Sequence, residues 1–155
     1  MPLTYREITV DDLPAVVQVR YSTIENAITP EELETGYGVT PASLAEALRG
    51  PVRGWLCEDD GMVAGFAMGD RETGEVGVVA VLPSHEGCGI GVGVLSRVRD
   101  WLFSEGHDRI WLKANPDPGI RATGFYERLG WKPTGEHVGD DHVLELHRPG
   151  EPVFR

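Results

Sequence analysis

The sequence has few cysteines, no long apolar run and a shortage of basic residues. Its 155 residues include two cysteines, Cys57 and Cys88, which lie far apart. A chain of this length buries enough apolar surface to fold without disulfides, so we interpret both as reduced thiols. No segment approaches the roughly 18 apolar residues that a membrane helix needs, and the N-terminus lacks the pattern of a secretion signal. We therefore expect a cytoplasmic protein without a membrane partner.

The charge balance is strongly acidic. Asp and Glu number 25 against 14 Lys and Arg, which gives a formal net charge of −11. Nucleic-acid binding needs a basic face, so this balance disfavours a nucleic-acid partner. The excess is uneven, because residues 1–75 hold 14 acidic and 5 basic side chains while residues 76–155 hold 11 and 9. The acidic half either attracts a cationic ligand or only forms a solvated surface.

Length and composition predict one globular domain over residues 1–155, with 41% hydrophobic and 25% charged residues. Hydrophobic spacing and turn residues place the strands at 5–9, 54–58, 62–68, 76–82, 109–114, 131–134 and 142–147. Helices are expected after Asp12, Thr29, Thr40 and Gly89 and through Ala122 to Leu129, with Gly50, Gly106 and Gly130 as left-handed ends. Short turns between the central strands predict an antiparallel meander, and the long helix predicts a crossover to a parallel strand.

A glycine-rich turn joins an apolar strand to the long helix. The segment runs Val79-Ala80-Val81-Leu82-Pro83-Ser84-His85-Glu86-Gly87-Cys88-Gly89-Ile90-Gly91-Val92-Gly93. Glycine lets a ligand approach the backbone, and the free N–H groups at a helix start favour phosphates. The spacing fits neither a dinucleotide fingerprint nor a P-loop, because the required last glycine and the Lys-Ser/Thr pair are missing. The turn is therefore either an anion-binding loop of another kind or a purely structural turn.

The order of elements from residue 76 to 134 resembles the GNAT superfamily of N-acetyltransferases. That family has Q/R-x-x-G-x-G/A before a helix and F/L-Y-E-x-x-G-F/W later, and the second motif corresponds here to Phe125-Tyr126-Glu127-Arg128-Leu129-Gly130-Trp131. The resemblance implies that Gly87, Cys88, Gly89, Ile90, Gly91 and Val92 bind the CoA pyrophosphate, and that the backbone of Val79 and Val81 pairs with pantetheine. It also assigns Tyr126 as the proton donor to the departing thiolate.

Two positions depart from the family pattern. Glu86 stands where the family has Gln or Arg, which puts a carboxylate beside a site meant for phosphates. Gly119 replaces an asparagine that often lies seven residues before the tyrosine, and Asn115 precedes it in a loop that also contains two prolines. The contacts of that loop therefore do not carry over.

The general base is left open by the sequence. An alkylammonium acceptor must lose a proton before it attacks a thioester, so a base or a water chain is required. Glu25, at the end of the first helix, and Glu75, at the start of the central strand, are the two candidates. His85 is interpreted as a loop residue, and direct transfer needs no nucleophile from Cys88.

Three further histidines, His137, His142 and His147, lie five residues apart. That spacing puts neighbours on opposite faces of one strand and matches no common zinc pattern, so no metal is predicted.

The resemblance predicts an α/β fold with a mixed, mostly antiparallel central sheet of six or seven strands, helices on both faces and a splayed centre. It implies an enzyme that transfers the acetyl group of acetyl-CoA to a primary amine of a small molecule or peptide. The alternatives are a CoA-binding sensor without transferase activity and an α/β interaction domain. The sequence does not decide between a monomer and a homodimer.

Overall fold

A computed structural model describes residues 3–22, 40–114 and 121–149 of the protein. The strands in these ranges are β1 (Leu3–Glu7), β2 (Val52–Asp59), β3 (Met62–Asp70), β4 (Glu75–Val81), β5 (Arg109–Ala114), β6 (Lys132–Val138) and β7 (Asp141–His147). The helices are α1 (Leu13–Ser22), α2 (Pro41–Arg49), α3 (Ile90–Ser104) and α4 (Arg121–Arg128), with short 3-10 turns at Val10–Asp12 and Pro83–His85. The helix expected after Thr29 lies outside the described residues.

All seven described strands belong to one sheet, in the order β1-β2-β3-β4-β5-β7-β6. Every neighbouring pair is antiparallel except β4 and β5, which are parallel and are connected through α3. The mostly antiparallel α/β sheet, the central meander and the crossover are therefore confirmed. None of the helices in the described ranges is long and apolar enough to cross a bilayer.

Two hydrophobic clusters cover the two faces of the sheet. On one face, α3 buries a stripe that consists of Ile90, Val94, Leu95, Val98 and Leu102, and Tyr126 of α4 joins the same cluster. On the other face, α1 buries Leu13, Val16 and Val19 against strand residues such as Leu56 and Phe66. The i, i+3 and i+4 spacing that predicts each helix also places these side chains on one side of it.

Glycines in the strands and in α3 let this helix lie close to the sheet. A Cβ atom on Gly65 of β3 would stand 2.6 Å from Cγ2 of Ile90, and one on Gly93 would stand 2.5 Å from the ring of Tyr5 in β1. The guanidinium of Arg97, one turn along α3, lies 4.1 Å from the centre of the same ring. The start of α3 is therefore fixed by close contacts with two strands.

The helix ends match the sequence prediction with one exception. Gly106 and Gly130 have φ values of 103° and 96°, so both take the left-handed conformation that was expected after α3 and α4. At α2, the Thr40 hydroxyl caps the helix by accepting from the N–H of Ser43 at 3.0 Å. Gly50, however, has φ −104° and ψ −130°. The left-handed end predicted there is wrong, because φ is negative and the chain reaches β2 two residues later.

The histidine prediction also needs correction. Strand β6 extends to Val138, so His137 lies on β6 and His142 on β7, where the two residues face each other across the hairpin. Their rings meet edge to face with centres 4.6 Å apart. The expectation of one strand with alternating faces is wrong for this pair, because the hairpin turn falls between the two residues.

Candidate active site

Strand β4 pairs very differently along its two edges. It pairs with β3 along its whole length, with a β-bulge at Gly77, because Met68 faces Val78 while Gly69 faces Val76. Towards β5, a single registered pair remains, in which Glu75 faces Trp111. The N–H of Trp111 donates to the carbonyl of Gly74 at 3.1 Å, next to this pair. Beyond Glu75, the two parallel strands separate within the described part of the sheet.

The separation leaves one edge of β4 open between residues 76 and 81. In a strand, backbone N–H and C=O groups point alternately to the two edges, so part of the β4 backbone faces this gap. Val79 and Val81 lie on this stretch with their side chains half-buried against the α3 cluster. The sequence prediction placed pantetheine against these residues, and their backbone is positioned to pair with an extended ligand in the way a strand would.

The glycine loop follows the open end of β4. Gly87 and Gly89 have φ values of 81° and 83°, a conformation that L-residues with side chains rarely adopt. Apart from its own chain neighbours, no described residue has an atom within 4 Å of the position that a Cβ would occupy on either glycine. Both residues are exposed, so an incoming group can reach this backbone without displacing a side chain.

The N-terminus of α3 presents its N–H groups at the same place. The first hydrogen bond of the helix runs from the N–H of Gly93 to the carbonyl of Gly89, at 3.0 Å. The N–H groups of the preceding residues, from Gly89 to Val92, therefore have no acceptor inside the helix. No acidic residue lies in the first turn to oppose an anion. Together with the helix dipole, these donors make the start of α3 suited to binding an anion such as a phosphate group.

Some side chains at the start of α3 pack within the protein and leave only their backbone groups accessible. Ile90 is 1% exposed and packs in the core, so only its N–H is available. A Cβ on Gly91 would lie 3.2 Å from Cζ of Phe125, which brings α4 against the first turn of α3. Cys88 is exposed, and Val92 exposes 41% of its surface beside the loop. The predicted cofactor residues thus share one surface, and backbone atoms form most of it.

Tyr126 is held tightly in α4. It is 8% exposed, and its ring packs edge to face against Phe125 and Trp131, with centres 5.3 Å and 5.9 Å away. Burial raises the pKa of its hydroxyl to about 12, while the charge of Arg20 in α1 acts in the opposite direction. Tyr126 therefore stays protonated at neutral pH, so its hydroxyl can donate a hydrogen bond or a proton and cannot act as a base.

Glu75 lies where β4 and β5 begin to separate. Its carboxylate is 3.5 Å from Nζ of Lys113 on β5, and its side chain is 23% exposed. Nearby, the indole N–H of Trp111 donates to the carbonyl of Thr73 at 3.0 Å, which fixes the ring beside the start of β4. Of the two predicted bases, Glu75 is thus positioned next to the gap. Glu25 lies outside the described residues.

Sequence reasoning missed the partner of His85. Nε2 of His85 lies 2.8 Å from Oδ2 of Asp59, the last residue of β2. Asp59 stands in a Glu-Asp-Asp-Gly run that has the composition of an ordinary turn, so no sequence signal separates it from Asp60. The pairing depends on β2 and β4 ending at the same edge of the sheet. The described residues bring together no group of three or more side chains suited to hold a metal ion.

The gap in the sheet, the backbone anion site and the buried tyrosine define a class of protein. It is an α/β protein whose central sheet opens between two parallel strands, with a glycine loop and an uncapped helix N-terminus directly after the open strand. Residues 19–131 match the acetyltransferase (GNAT) family. The chain belongs to this family, whose members are acyl-CoA-dependent transferases.

Individual relatives agree with this assignment. The chain is similar to a mycothiol acetyltransferase of Beutenbergia cavernae, with 35% identity over 89 residues that make up 54% of this chain and 30% of that protein. The match thus spans less than a third of the relative. The PaiA N-acetyltransferase of Thermoplasma acidophilum, solved in complex with coenzyme A, superimposes with a TM-score of 0.82 at 18% identity, covering 96% of this chain and 100% of that one.

A second solved structure has the same fold. YncA of Salmonella typhimurium, solved with its cofactor acetyl-CoA, superimposes with a TM-score of 0.66 at 19% identity. The similarity covers 100% of this chain and 99% of that one.

Proposed function

We propose that the protein transfers the acetyl group of acetyl-CoA to a primary amine of a small molecule or peptide. The observation that carries the proposal is the row of uncapped N–H groups at the start of α3, directly after the open edge of β4. A CoA thioester has one polyanionic end and one extended amide-containing arm, and the loop and the strand edge offer a partner for each. The PaiA N-acetyltransferase, solved with coenzyme A, and YncA, solved with acetyl-CoA, support the choice of donor.

The cosubstrate fits the residues that are present. The N–H groups between Gly87 and Val92 would bind the pyrophosphate, and the β4 backbone at Val79 and Val81 would pair with the pantetheine amides. Gly87 and Gly89 leave room for this approach, since a Cβ on either would point into open space. The chain's net charge of −11 repels a polyanion, and the backbone N–H groups at the helix N-terminus supply local attraction that offsets this repulsion.

The reaction would follow direct attack. The amine nitrogen attacks the thioester carbonyl carbon, a base takes a proton from the nitrogen, and the carbon–sulfur bond breaks to leave the CoA thiolate. Backbone N–H groups on the open edge of β4 are available to stabilise the oxyanion in the tetrahedral intermediate. No covalent acyl-enzyme forms, so the exposed Cys88 has no chemical role in this scheme.

Tyr126 would act on the departing sulfur mainly as a hydrogen-bond donor. Its pKa of about 12 exceeds the reference value of about 8.5 for a thiol, so complete proton transfer is uphill by roughly three to four pKa units. A hydrogen bond to the developing thiolate avoids most of this cost and still lowers the barrier. The product thiol then receives its proton from solvent or from the protonated base.

Glu75 is favoured here over Glu25 as the base. Glu75 lies beside the gap into which the amine must come, and its carboxylate lies 3.5 Å from Nζ of Lys113 on β5. The acidic excess of residues 1–75 agrees with a cationic acceptor that is attracted to this side of the sheet.

The test is a panel of amines scored for release of free thiol from acetyl-CoA. Cationic, neutral and acidic primary amines and short peptides with free amino groups are compared, with hydrolysis of acetyl-CoA alone as the background. Turnover with at least one amine, with the acetylated product seen by mass spectrometry, supports the proposal. Binding of CoA without turnover on any amine would instead indicate a CoA sensor. Absence of CoA binding would indicate an interaction domain.

A further inference from the structure

Asp59 is the one charged residue that is buried among the described residues. It is 8% exposed at the end of β2. Its Oδ2 atom lies 2.8 Å from Nε2 of His85, and its Oδ1 atom is buried without a hydrogen-bond partner in the described part of the chain. A buried carboxylate with one partner is costly to hold, so the arrangement depends on His85.

His85 continues the hydrogen-bond chain to the loop. Its side chain is 11% exposed, and Nδ1 lies 2.8 Å from the hydroxyl of Ser84. Because an ionised carboxylate only accepts, Nε2 carries the proton that bonds to Asp59. Nδ1 then accepts from Ser84 in the neutral ring or donates to it in the charged ring. Either form joins the end of β2 to the segment that leaves β4.

This connection determines where the glycine loop can lie. On one side the loop is anchored at His85, and on the other at Ile90, which is 1% exposed in the core. Only the four residues 86–89 link these anchors, and all four are exposed. The two left-handed glycines among them have no neighbouring atoms at their Cβ positions. The anchors at the two ends therefore limit where the loop can lie.

We infer that the Asp59–His85 pair is a positioning device that holds the glycine loop in the conformation that receives the CoA pyrophosphate. The inference rests on the proposed function, since it takes CoA as the ligand of this loop. Neither residue touches the reacting atoms. The pair acts on cofactor binding only, because the thioester end would lie further along β4.

The charge of Asp59 and its effect on the position of the loop should change CoA affinity in opposite directions. This difference makes the inference testable. A carboxylate near an anion site repels phosphates, so its removal should tighten CoA binding if charge alone matters. If the pair positions the loop, its removal weakens binding. With the loop competent about one tenth of the time, the apparent Kd rises about tenfold.

The experiment compares Asp59→Ala and Asp59→Asn with Asp60→Asn. Asp60 is the exposed neighbour, and asparagine tolerates its φ of 51°, so that variant removes the same charge without touching His85. CoA affinity is measured by calorimetry, and acetyl-CoA KM and kcat by thiol release. We expect Asp59→Ala to raise Kd and KM about tenfold with kcat changed less than twofold. Asp59→Asn should be intermediate, because its amide oxygen can still accept from His85, and Asp60→Asn should match the wild type.

A second pair of variants tests the histidine. His85→Gln keeps an amide N–H that can donate to Asp59, whereas His85→Ala does not, so we expect Gln to restore most of the affinity that Ala loses. Melting temperatures and circular dichroism identify any variant that fails to fold, and His85→Gln and Asp59→Asn then carry the comparison. Unchanged or tighter CoA binding in folded Asp59→Ala would overturn the inference. Failure of the wild type to bind CoA would instead overturn the proposed function.

Discussion

The two ends of β4 lie beside different kinds of chemical group. At its C-terminal end, the described residues form a site from backbone N–H groups, with left-handed glycines and without a charged residue in the first turn of α3. At its N-terminal end, charged side chains dominate, with Glu75 beside Lys113 and, on the neighbouring strands, Arg109 beside Glu145. Cofactor binding should therefore respond to changes in backbone conformation, and acceptor chemistry should respond to charge.

The largest expected effect is at the backbone end. Gly89→Val places a β-branched residue at φ 83°, which is strained, and directs a side chain towards the phosphate position. We expect CoA affinity to fall by about 100-fold or more, as measured by calorimetry, because several charge-assisted hydrogen bonds are lost. Gly135→Val is the matched control, since Gly135 has a φ of 89° and equally open surroundings in β6. Equal CoA affinity in folded Gly89→Val would exclude the loop as the pyrophosphate site.

The next effect tests the charged end. If Glu75 is the general base, Glu75→Gln lowers kcat by about 10²-fold with little change in CoA affinity. Lys113→Met is the matched control, because it breaks the same ion pair and leaves the carboxylate in place. Comparable losses in both variants would show that the ion pair only supports the strand start. Glu25→Gln, measured beside them, would then be expected to show the larger loss.

Tyr126→Phe tests the proposed hydrogen-bond donor to the leaving thiolate. The change removes one hydroxyl and keeps the ring that packs on Phe125 and Trp131, so stability and CoA affinity should persist. We expect kcat at saturating acetyl-CoA to fall roughly 10-fold, at or below the low end of general-acid effects, because thiolate is a fair leaving group.

The pH dependence gives a second measurement on Tyr126. A group whose pKa is raised to about 12 stays protonated below that pH, so its ionisation should not produce an alkaline loss of kcat near pH 10. A loss of wild-type kcat near pH 10 that is absent in Tyr126→Phe would contradict the raised pKa. Undiminished turnover in Tyr126→Phe would return the residue to a packing role.

The smallest effect concerns salt. Exposed charges are screened over about 8 to 10 Å at physiological ionic strength, so the kcat/KM of a cationic acceptor should fall a few-fold between low and high salt. The KM for acetyl-CoA should change less, because helix-terminal N–H groups hold its phosphates at short range. Neutral acceptors provide the internal control. If neutral and cationic acceptors respond alike, the acidic excess of the N-terminal half only solvates the surface.

The sequence predicted the parts of the fold that depend on local signals. The cap at Thr40, the stripe through Ile90, Val94 and Val98, and the left-handed ends at Gly106 and Gly130 all follow from neighbouring residues and were confirmed. The prediction of a left-handed conformation at Gly50 was wrong because β2 begins two residues later, and the sheet determines the direction in which the chain leaves the helix. The resemblance to the GNAT family supplied the topology, which periodicity alone does not determine.

Features that depend on long-range contacts could not be predicted from the sequence. Nothing in Val76-Gly77-Val78 distinguishes a bulge from a regular strand, because the bulge depends on the register with β3. The sequence does not distinguish the glycines of the loop from one another. In the structure, Gly87 and Gly89 adopt left-handed conformations, whereas Gly93 leaves room for the ring of Tyr5 in β1. The pairing of Asp59 with His85 is non-local in the same way. Long-range contacts of this kind leave no pattern in a single sequence.

The single pair between β4 and β5 also affects how the molecule opens. Strands β1 to β4 pair with one another in order, and so do β5, β7 and β6, whereas among the described residues only Glu75 and Trp111 are registered across the middle of the sheet. Helix α3 packs on strands of both groups. Two groups of strands that are joined so weakly can open independently of each other. Amide hydrogens of β5 to β7 are therefore free to exchange through openings that leave β1 to β4 intact, and a ligand lying in the gap would slow this exchange.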